Sequence, residues 1–230
     1  MNPTTSRRRI PRVKQGVAEK YFIGESCLCI SLGNSISQAT SSAVLRLYAG
    51  AKKSQLSGRL DVLDIVPSYT SLAVYFDPVL ADVPAVEEAL DEILAEHASR
   101  RGSGGKAPYV RRKKVVLPVR YDGEDIGRVA AHNDLSTEDV VRLHCKGAYT
   151  VAMIGFLPHF PYLLGLDKKL ATPRLERPRT HVPAGSVAIG GEQTGVYPLE
   201  SPGGWNIIGT TDPELLLPLV PGDRVVFERR

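Results

Sequence analysis

Residues 155–209 read GFLPHFPYLLGLDKKLATPRLERPRTHVPAGSVAIGGEQTGVYPLESPGGWNIIG, and the fold turns on how this stretch is interpreted. Pro and Gly recur every few residues, yet short apolar pieces stand between them at 156–157, 160–164, 187–189, 196–197 and 205–208. A disordered segment lacks the aromatic and aliphatic residues needed to bury a core. Here those residues are grouped as strand-length runs between turn signals, which predicts short strands joined by stiff loops. The stretch holds the single Trp, Trp205, and two of the five Phe. It also sets Pro173-Arg174 and Pro178-Arg179 in a constrained loop. Rigid aromatic and Arg side chains on such loops are how a scaffold presents a small-molecule site.

Working outward, 149–154 reads as a strand feeding into this stretch, and 223–228 as a closing strand after a Pro221-Gly222 turn. Upstream, 115–121 is strand-like and 124–132 helix-like. Ser136 to Asp139 opens a helix with a capping-box pattern, burying Val140, Val141 and Leu143. His144 falls near the end of that helix, where a cationic imidazole suits the dipole, which predicts a capping role. Many short strands with Gly and Pro corners suggest a barrel. Nearer the N-terminus, 21–23 and 27–32 read as strands, the second alternating Leu28, Ile30 and Leu32 with Cys27, Cys29 and Ser31 in a half-buried pattern. Asn34 or Ser35 then caps a helix with the stripe Ile36, Ala39, Ala43, Val44, Leu47 and Tyr48. Strands at 60–66 and 72–76 follow, joined through Pro67-Ser68-Tyr69. Asp82 caps a second helix with Pro84 in its first turn and Val86, Leu90, Ile93 and Leu94 buried. Strand–strand–helix twice over implies an α+β layer, with helices on one face of an antiparallel sheet.

At 230 residues the chain suits one large or two small domains. No apolar run approaches the ~20 residues of a membrane span, and the N-terminus has no apolar segment of a secretory signal. The net charge of +4 is unevenly spread. Five basic residues and no acid precede Gln15, and seven basic residues with no acid lie in 97–114. We therefore expect a disordered basic tail at 1–18 and a basic flexible linker at 98–114 containing Arg100-Arg101-Gly102-Ser103-Gly104-Gly105, with the remainder net acidic. Such runs are solvated and weakly anion-attracting, so no specific nucleic-acid partner is expected. Cys27, Cys29 and Cys145 have no metal spacing; buried free thiols and a cytoplasmic location are the expectation.

Several side chains are candidates for a substrate site. Arg174 and Arg179 suit a carboxylate or phosphate by their planar forks, or else form salt bridges to Glu176 or Asp167. His159, between Pro158 and Phe160, is either an acid–base group or a surface imidazole packed on aromatics. Gln193, Tyr197 and Trp205 supply amide, phenol and indole groups, lining a pocket with Phe160 or filling a barrel interior. Gly203-Gly204 lets backbone approach a ligand or turns a corner. There is no Walker-type loop, nucleophile elbow or metal cluster in the pattern, so catalytic residues stay unassigned and no metal is expected.

The pieces GFLPHFPYLLGLD (155–167), PRLERPR (173–179), VPAGSVAI (182–189), QTGVYPLESPGGWNIIG (193–209) and PGDRVVFE (221–228) resemble one family. It contains the B subunit of the bacterial ATP-dependent 5-oxoprolinase, the kinase inhibitor KipI and proteins labelled allophanate hydrolase subunit 1. The resemblance implies a ferredoxin-like domain at 19–97 and a cyclophilin-like β-barrel at 115–230. It implies opening of the lactam of 5-oxo-L-proline to L-glutamate with subunits A and C, using ATP and Mg held with those partners. In that chemistry a phosphoryl group goes to the lactam oxygen and water then attacks. Its alternatives are inhibition of a sensor histidine kinase and a urea-carboxylase or allophanate pathway. Many relatives carry glycine where this chain has His159 and a basic residue where it has Thr210, and the 211–221 connection here is short.

Overall fold

The computed structural model describes residues 18–54, 56, 61–102 and 113–230; the expected tail up to residue 17 and most of the expected linker lie outside them. The first part of the chain forms β1 (Glu19–Phe22), β2 (Cys27–Ser31), α1 (Gln38–Lys53), β3 (Val62–Pro67), β4 (Ser71–Phe76) and α2 (Val83–Gly102). The four strands make an antiparallel sheet in the order β1-β2-β4-β3. Leu28, Ile30, Ile65, Leu72, Val74 and Phe76 face both helices and pack with Val44, Leu47, Val86, Leu90 and Ile93 into one core. Each such side chain contributes ~1.5–3 kcal/mol by leaving water.

Three expectations need correction in this part. The N-cap of α1 is Ser37, whose hydroxyl accepts from Thr40 N; Ile36 stands outside the helix and is half exposed. The β2 strand is buried on both faces, because Tyr21 and Tyr75 pair across Cys29 and Cys27. Helix α2 runs on to Gly102, beyond the point where a linker is expected to begin.

The second part contains β5 (Lys114–Val119), α3 (Ile126–His132), α4 (Thr137–Lys146), β6 (Tyr149–Ile154), β7 (Pro161–Leu164), β8 (Arg179–Val182), β9 (Ser186–Gly190), β10 (Gln193–Val196), β11 (Ser201–Gly203), β12 (Asn206–Thr210) and β13 (Arg224–Arg229). Seven strands form one sheet in the order β12-β9-β10-β7-β6-β13-β5, while β8 and β11 pair separately. The sheet curls until its ends meet: Arg120, just past β5, exchanges backbone hydrogen bonds of 2.9 and 2.8 Å with Thr210 of β12. The result is a nearly closed, barrel-like sheet.

Strand period decides what lies inside. Leu117, Val119, Tyr149, Val151, Leu163, Val187, Ile189, Ile208, Val225 and Phe227 come from strands right across the sheet, yet join a single core with Val129 of α3 and Val140 of α4. That face is the concave one. Their alternates Tyr162, Ala188 and Ile207 point the other way and form a second cluster with Phe160, Val182, Tyr197 and Trp205. The aromatics of the 155–209 stretch therefore cover the outside of the barrel sheet rather than filling it.

His144 is also corrected. Its side chain is wholly buried, between Tyr121 Oη (2.8 Å) and Thr194 Oγ1 (3.1 Å), and its ring lies 4.4 Å from that of Phe227. Burial pushes its pKa down to about 3, so it is a neutral core residue and not a cationic cap. No helix among the described residues is long and apolar enough to cross a membrane.

Candidate functional site

The loop before β8 is pinned on both sides, which determines where Arg174 points. Thr172 exchanges backbone hydrogen bonds of 3.1 and 2.8 Å with Gly191, and Leu175 N donates to Gly204 O at 2.7 Å. Between them, the buried Asn206 amide donates to Pro173 O (3.0 Å) and Ile189 O (2.9 Å), and Arg128 of α3 donates to Asn206 Oδ1. With the backbone held at 172, 173 and 175, the Arg174 guanidinium lies 5.6 Å above the Trp205 ring. Stacking occupies its face and leaves the N–H edges free. It has no ion-pair partner among the described residues. Sequence reasoning misses Asn206 and Arg128, because a buried Asn at a strand start gives no signal of what it will anchor.

Trp205 is itself placed by close backbone approach. A Cβ on Gly190 would meet the indole at 2.6 Å, so only glycine fits there. Phe160 meets Trp205 and Tyr197 edge-on, with centroids at 5.7 and 5.2 Å, and Tyr162 meets Trp205 at 5.8 Å. Tyr197 lies against Gly203, where a Cβ would meet its hydroxyl at 2.3 Å. Burial raises the pKa of Tyr197 and of Tyr162, and the Arg174 charge opposes the rise in both.

Beside this cluster is a cavity of about 650 Å³. Ile36, Ser37 and Gln38 line it from the start of α1, Leu164 to Leu166 and Lys168 from below β7, and Arg174, Gly190, Gly191, Glu192 and Gln193 from the barrel. It spans the two parts of the chain. No acidic residue occupies the first turn of α1, so its dipole adds to the charges of Lys168 and Arg174, against one carboxylate, Glu192.

The sequence candidates thus separate. Arg174 and Gln193 share the cavity; Phe160, Tyr197 and Trp205 form the packed cluster next to it. Arg179 goes elsewhere: its Nε lies 2.9 Å from Glu124 and its Nη2 2.8 Å from the buried Asp125, which also accepts from Ile207 N at 2.7 Å. The hydrogen bond to Asp125 is the main cause that raises the Arg179 pKa. A salt bridge is one of the two readings the sequence allows for this residue, and the partners are Glu124 and Asp125 in place of Glu176 or Asp167. His159 is exposed at the tip of the 155–160 turn with φ 64°, and Phe156 has φ 69°. A left-handed backbone favours glycine, so the imidazole sits here at a conformational cost.

Residues 19–218 match the family described as carboxyltransferase domain, subdomain C and D. The chain is 36% identical to the 5-oxoprolinase B subunit of Bacillus subtilis, covering 90% of each protein. It is 38% identical to the 5-oxoprolinase B subunit of Escherichia coli O157:H7, covering 91% of this chain and 95% of that one. Among solved structures, TTHA0988 superposes with a TM-score of 0.73 at 36% identity over 89% of this chain; the chain spans 40% of the length of that protein. The urea carboxylase of Kluyveromyces lactis shares the fold, with a TM-score of 0.70 at 17% identity over 96% of this chain and 22% of that protein. The chain therefore belongs to the carboxyltransferase-domain family, subdomains C and D, that includes the 5-oxoprolinase B subunit.

Proposed function

We propose that the chain is the B subunit of an ATP-dependent 5-oxoprolinase, opening the lactam of 5-oxo-L-proline to L-glutamate together with subunits A and C. The observation that carries this reading is the 36% identity to a protein of that name over 90% of both chains. The geometry agrees with it: the cavity joins a guanidinium held edge-outward, an ammonium and a primary amide, which suit a small molecule bearing a carboxylate and a cyclic amide. ATP, with Mg, is expected to be held together with the partner subunits. The exposed Phe156, edge-on to Phe160 and Tyr197, supports a partner surface beside the aromatic cluster. The likeness to urea carboxylase extends to the fold and favours no second reaction.

The same reading includes two domain assignments. Strand order β1-β2-β4-β3 with both helices on one face is what a β-α-β-β-α-β unit gives when its last strand comes first, which supports a ferredoxin-like N-terminal domain. The curled seven-stranded sheet capped by α3 and α4 supports a cyclophilin-like barrel for 115–230. Co-expression with homologues of subunits A and C, followed by assay of glutamate release from 5-oxo-L-proline, tests the function. Release that needs ATP and all three chains is expected; no release with both partners present overturns the reading.

A further inference from the structure

Gln193 opens β10, and the alternation of that strand decides which way its side chain faces. The next residue, Thr194, is buried on the inner face of the barrel sheet. Its hydroxyl lies 3.1 Å from His144 Nε2 and donates to Ala188 O at 2.9 Å. Successive side chains of a strand point to opposite faces, so Gln193 faces outward. Its register partner is Gly190, whose missing Cβ leaves the room that the Trp205 indole fills. The Arg174 guanidinium lies over that same indole. Gln193 and Arg174 therefore meet at one aromatic ring on one side of the sheet, and both line the cavity. Neither side chain has a hydrogen-bond partner among the described residues.

A primary carboxamide carries N–H and C=O side by side, one donor and one acceptor pointing the same way. An open-chain secondary amide offers nothing to match it, because its bond is trans and sets N–H and C=O on opposite sides. A five-membered lactam is held cis by its ring and presents both groups on one edge. We propose that Gln193 pairs with that edge, its N–H donating to the ring carbonyl and its oxygen accepting from the ring N–H, while Arg174 holds a carboxylate on the same ligand. The cavity then selects cyclic amides with a carboxylate and rejects open-chain acyl amino acids of the same composition. The choice of 5-oxo-L-proline among such lactams rests on the proposed function. Ring opening destroys the edge, since the product carries an ammonium and a second carboxylate in its place. Glu192, next to Gln193 in the cavity wall, repels that new carboxylate, so the same residues release the product.

Isothermal titration of the full chain with three acids tests this. They are 5-oxo-L-proline, N-acetyl-L-alanine, which has the same groups with one ring bond opened, and 5-oxotetrahydrofuran-2-carboxylate, a lactone in which oxygen replaces the ring N–H. The wild-type chain is expected to prefer 5-oxo-L-proline to N-acetyl-L-alanine ~100-fold, the cost of turning an open-chain amide cis. Its preference over the lactone should be ~10-fold, since the lactone loses one hydrogen bond and leaves the Gln193 oxygen facing another acceptor. Gln193→Leu should weaken 5-oxo-L-proline ~10-fold and bring it within ~2-fold of the lactone. Gln193→Asn, which keeps the carboxamide but ends one methylene short, should do the same, so the test survives if one variant fails to fold. A wild-type chain that binds N-acetyl-L-alanine as tightly as 5-oxo-L-proline overturns the proposal, as does one that binds none of the three at millimolar concentration. Variants that keep the preference for lactam over lactone overturn it too. Selective binding of the lactam without glutamate release by the complex would keep this site and remove the 5-oxoprolinase reading; glutamate release without that selectivity would do the reverse.

Discussion

Replacing Arg179 by Met should destabilise the fold and leave the cavity chemistry in place, because this arginine ties three elements together. It links β8 to the residues that open α3 through Glu124 and Asp125, and Asp125 in turn holds the backbone of β12 at Ile207. The two ion pairs differ in weight. The Glu124 side chain is 61% exposed, so solvent screening leaves that pair worth less than about 1 kcal/mol. The Asp125 side chain is only 9% exposed, and loss of its cationic partner leaves a buried carboxylate with one remaining donor. Breaking a buried pair on one side costs ~3–5 kcal/mol when nothing else compensates. The surviving bond from Ile207 N offsets part of that, so ~2–3 kcal/mol is expected for Arg179→Met. Asp125→Asn, which keeps the shape and loses the charge, should cost ~1.5–3 kcal/mol. In a double-mutant cycle followed by urea denaturation, the two substitutions together should cost less than their sum, with a coupling of ~1–2 kcal/mol. A midpoint for Arg179→Met that corresponds to less than about 0.5 kcal/mol, or additive losses, would refute the structural assignment and return Arg179 to the ligand candidates.

Two other substitutions probe groups whose role the structure changes. His144 is held neutral by burial, with a pKa of about 3 against 6.5 in the unfolded chain, so the unfolded state binds the extra proton between those values. Stability is then full above pH 6.5 and falls by ~1.4 kcal/mol per pH unit below it. His144→Gln should flatten that slope in denaturation profiles between pH 6.5 and 4, and an unchanged slope would contradict a neutral buried imidazole. His159→Gly relieves a left-handed backbone at an exposed turn and should raise stability by up to ~1 kcal/mol in thermal melts, with turnover in the reconstituted complex unchanged. A loss of turnover would make the imidazole a participant.

What is legible in the sequence, and what is hidden there, follows from the range of the interactions involved. Period-two alternation and Pro–Gly punctuation are local, and they locate β4, β6, β7, β9, β12 and β13 within a few residues. The start of α1 is ambiguous because three polar residues that can cap, at 34, 35 and 37, compete. Only Ser37 reaches the orphan amide of Thr40. His144 looks like a cap from its place at a helix end, although it repeats the position of Val140 one turn on and so shares the buried face. Arg174 and Arg179 are indistinguishable as Pro-Arg pairs. They are separated by contacts 54 residues away for Arg179–Asp125 and by the anchoring of Pro173 through Asn206, 33 residues away. The Tyr69 hydroxyl, buried with no hydrogen-bond partner, is beyond reach for the same reason: a missing hydrogen bond is visible only when everything around the hydroxyl is known.

In the proposed function, Arg174 holds the substrate carboxylate of a 5-oxoprolinase. The direct test is the rate of ATP-dependent 5-oxo-L-proline hydrolysis by the complex with homologues of subunits A and C, measured for wild type and Arg174→Lys across substrate concentration. Lysine keeps the charge but loses the planar fork and the stack on Trp205, so KM should rise ~10- to 100-fold while the three chains still co-elute. An assembled Arg174→Lys complex with wild-type KM and kcat would remove Arg174 from the substrate site.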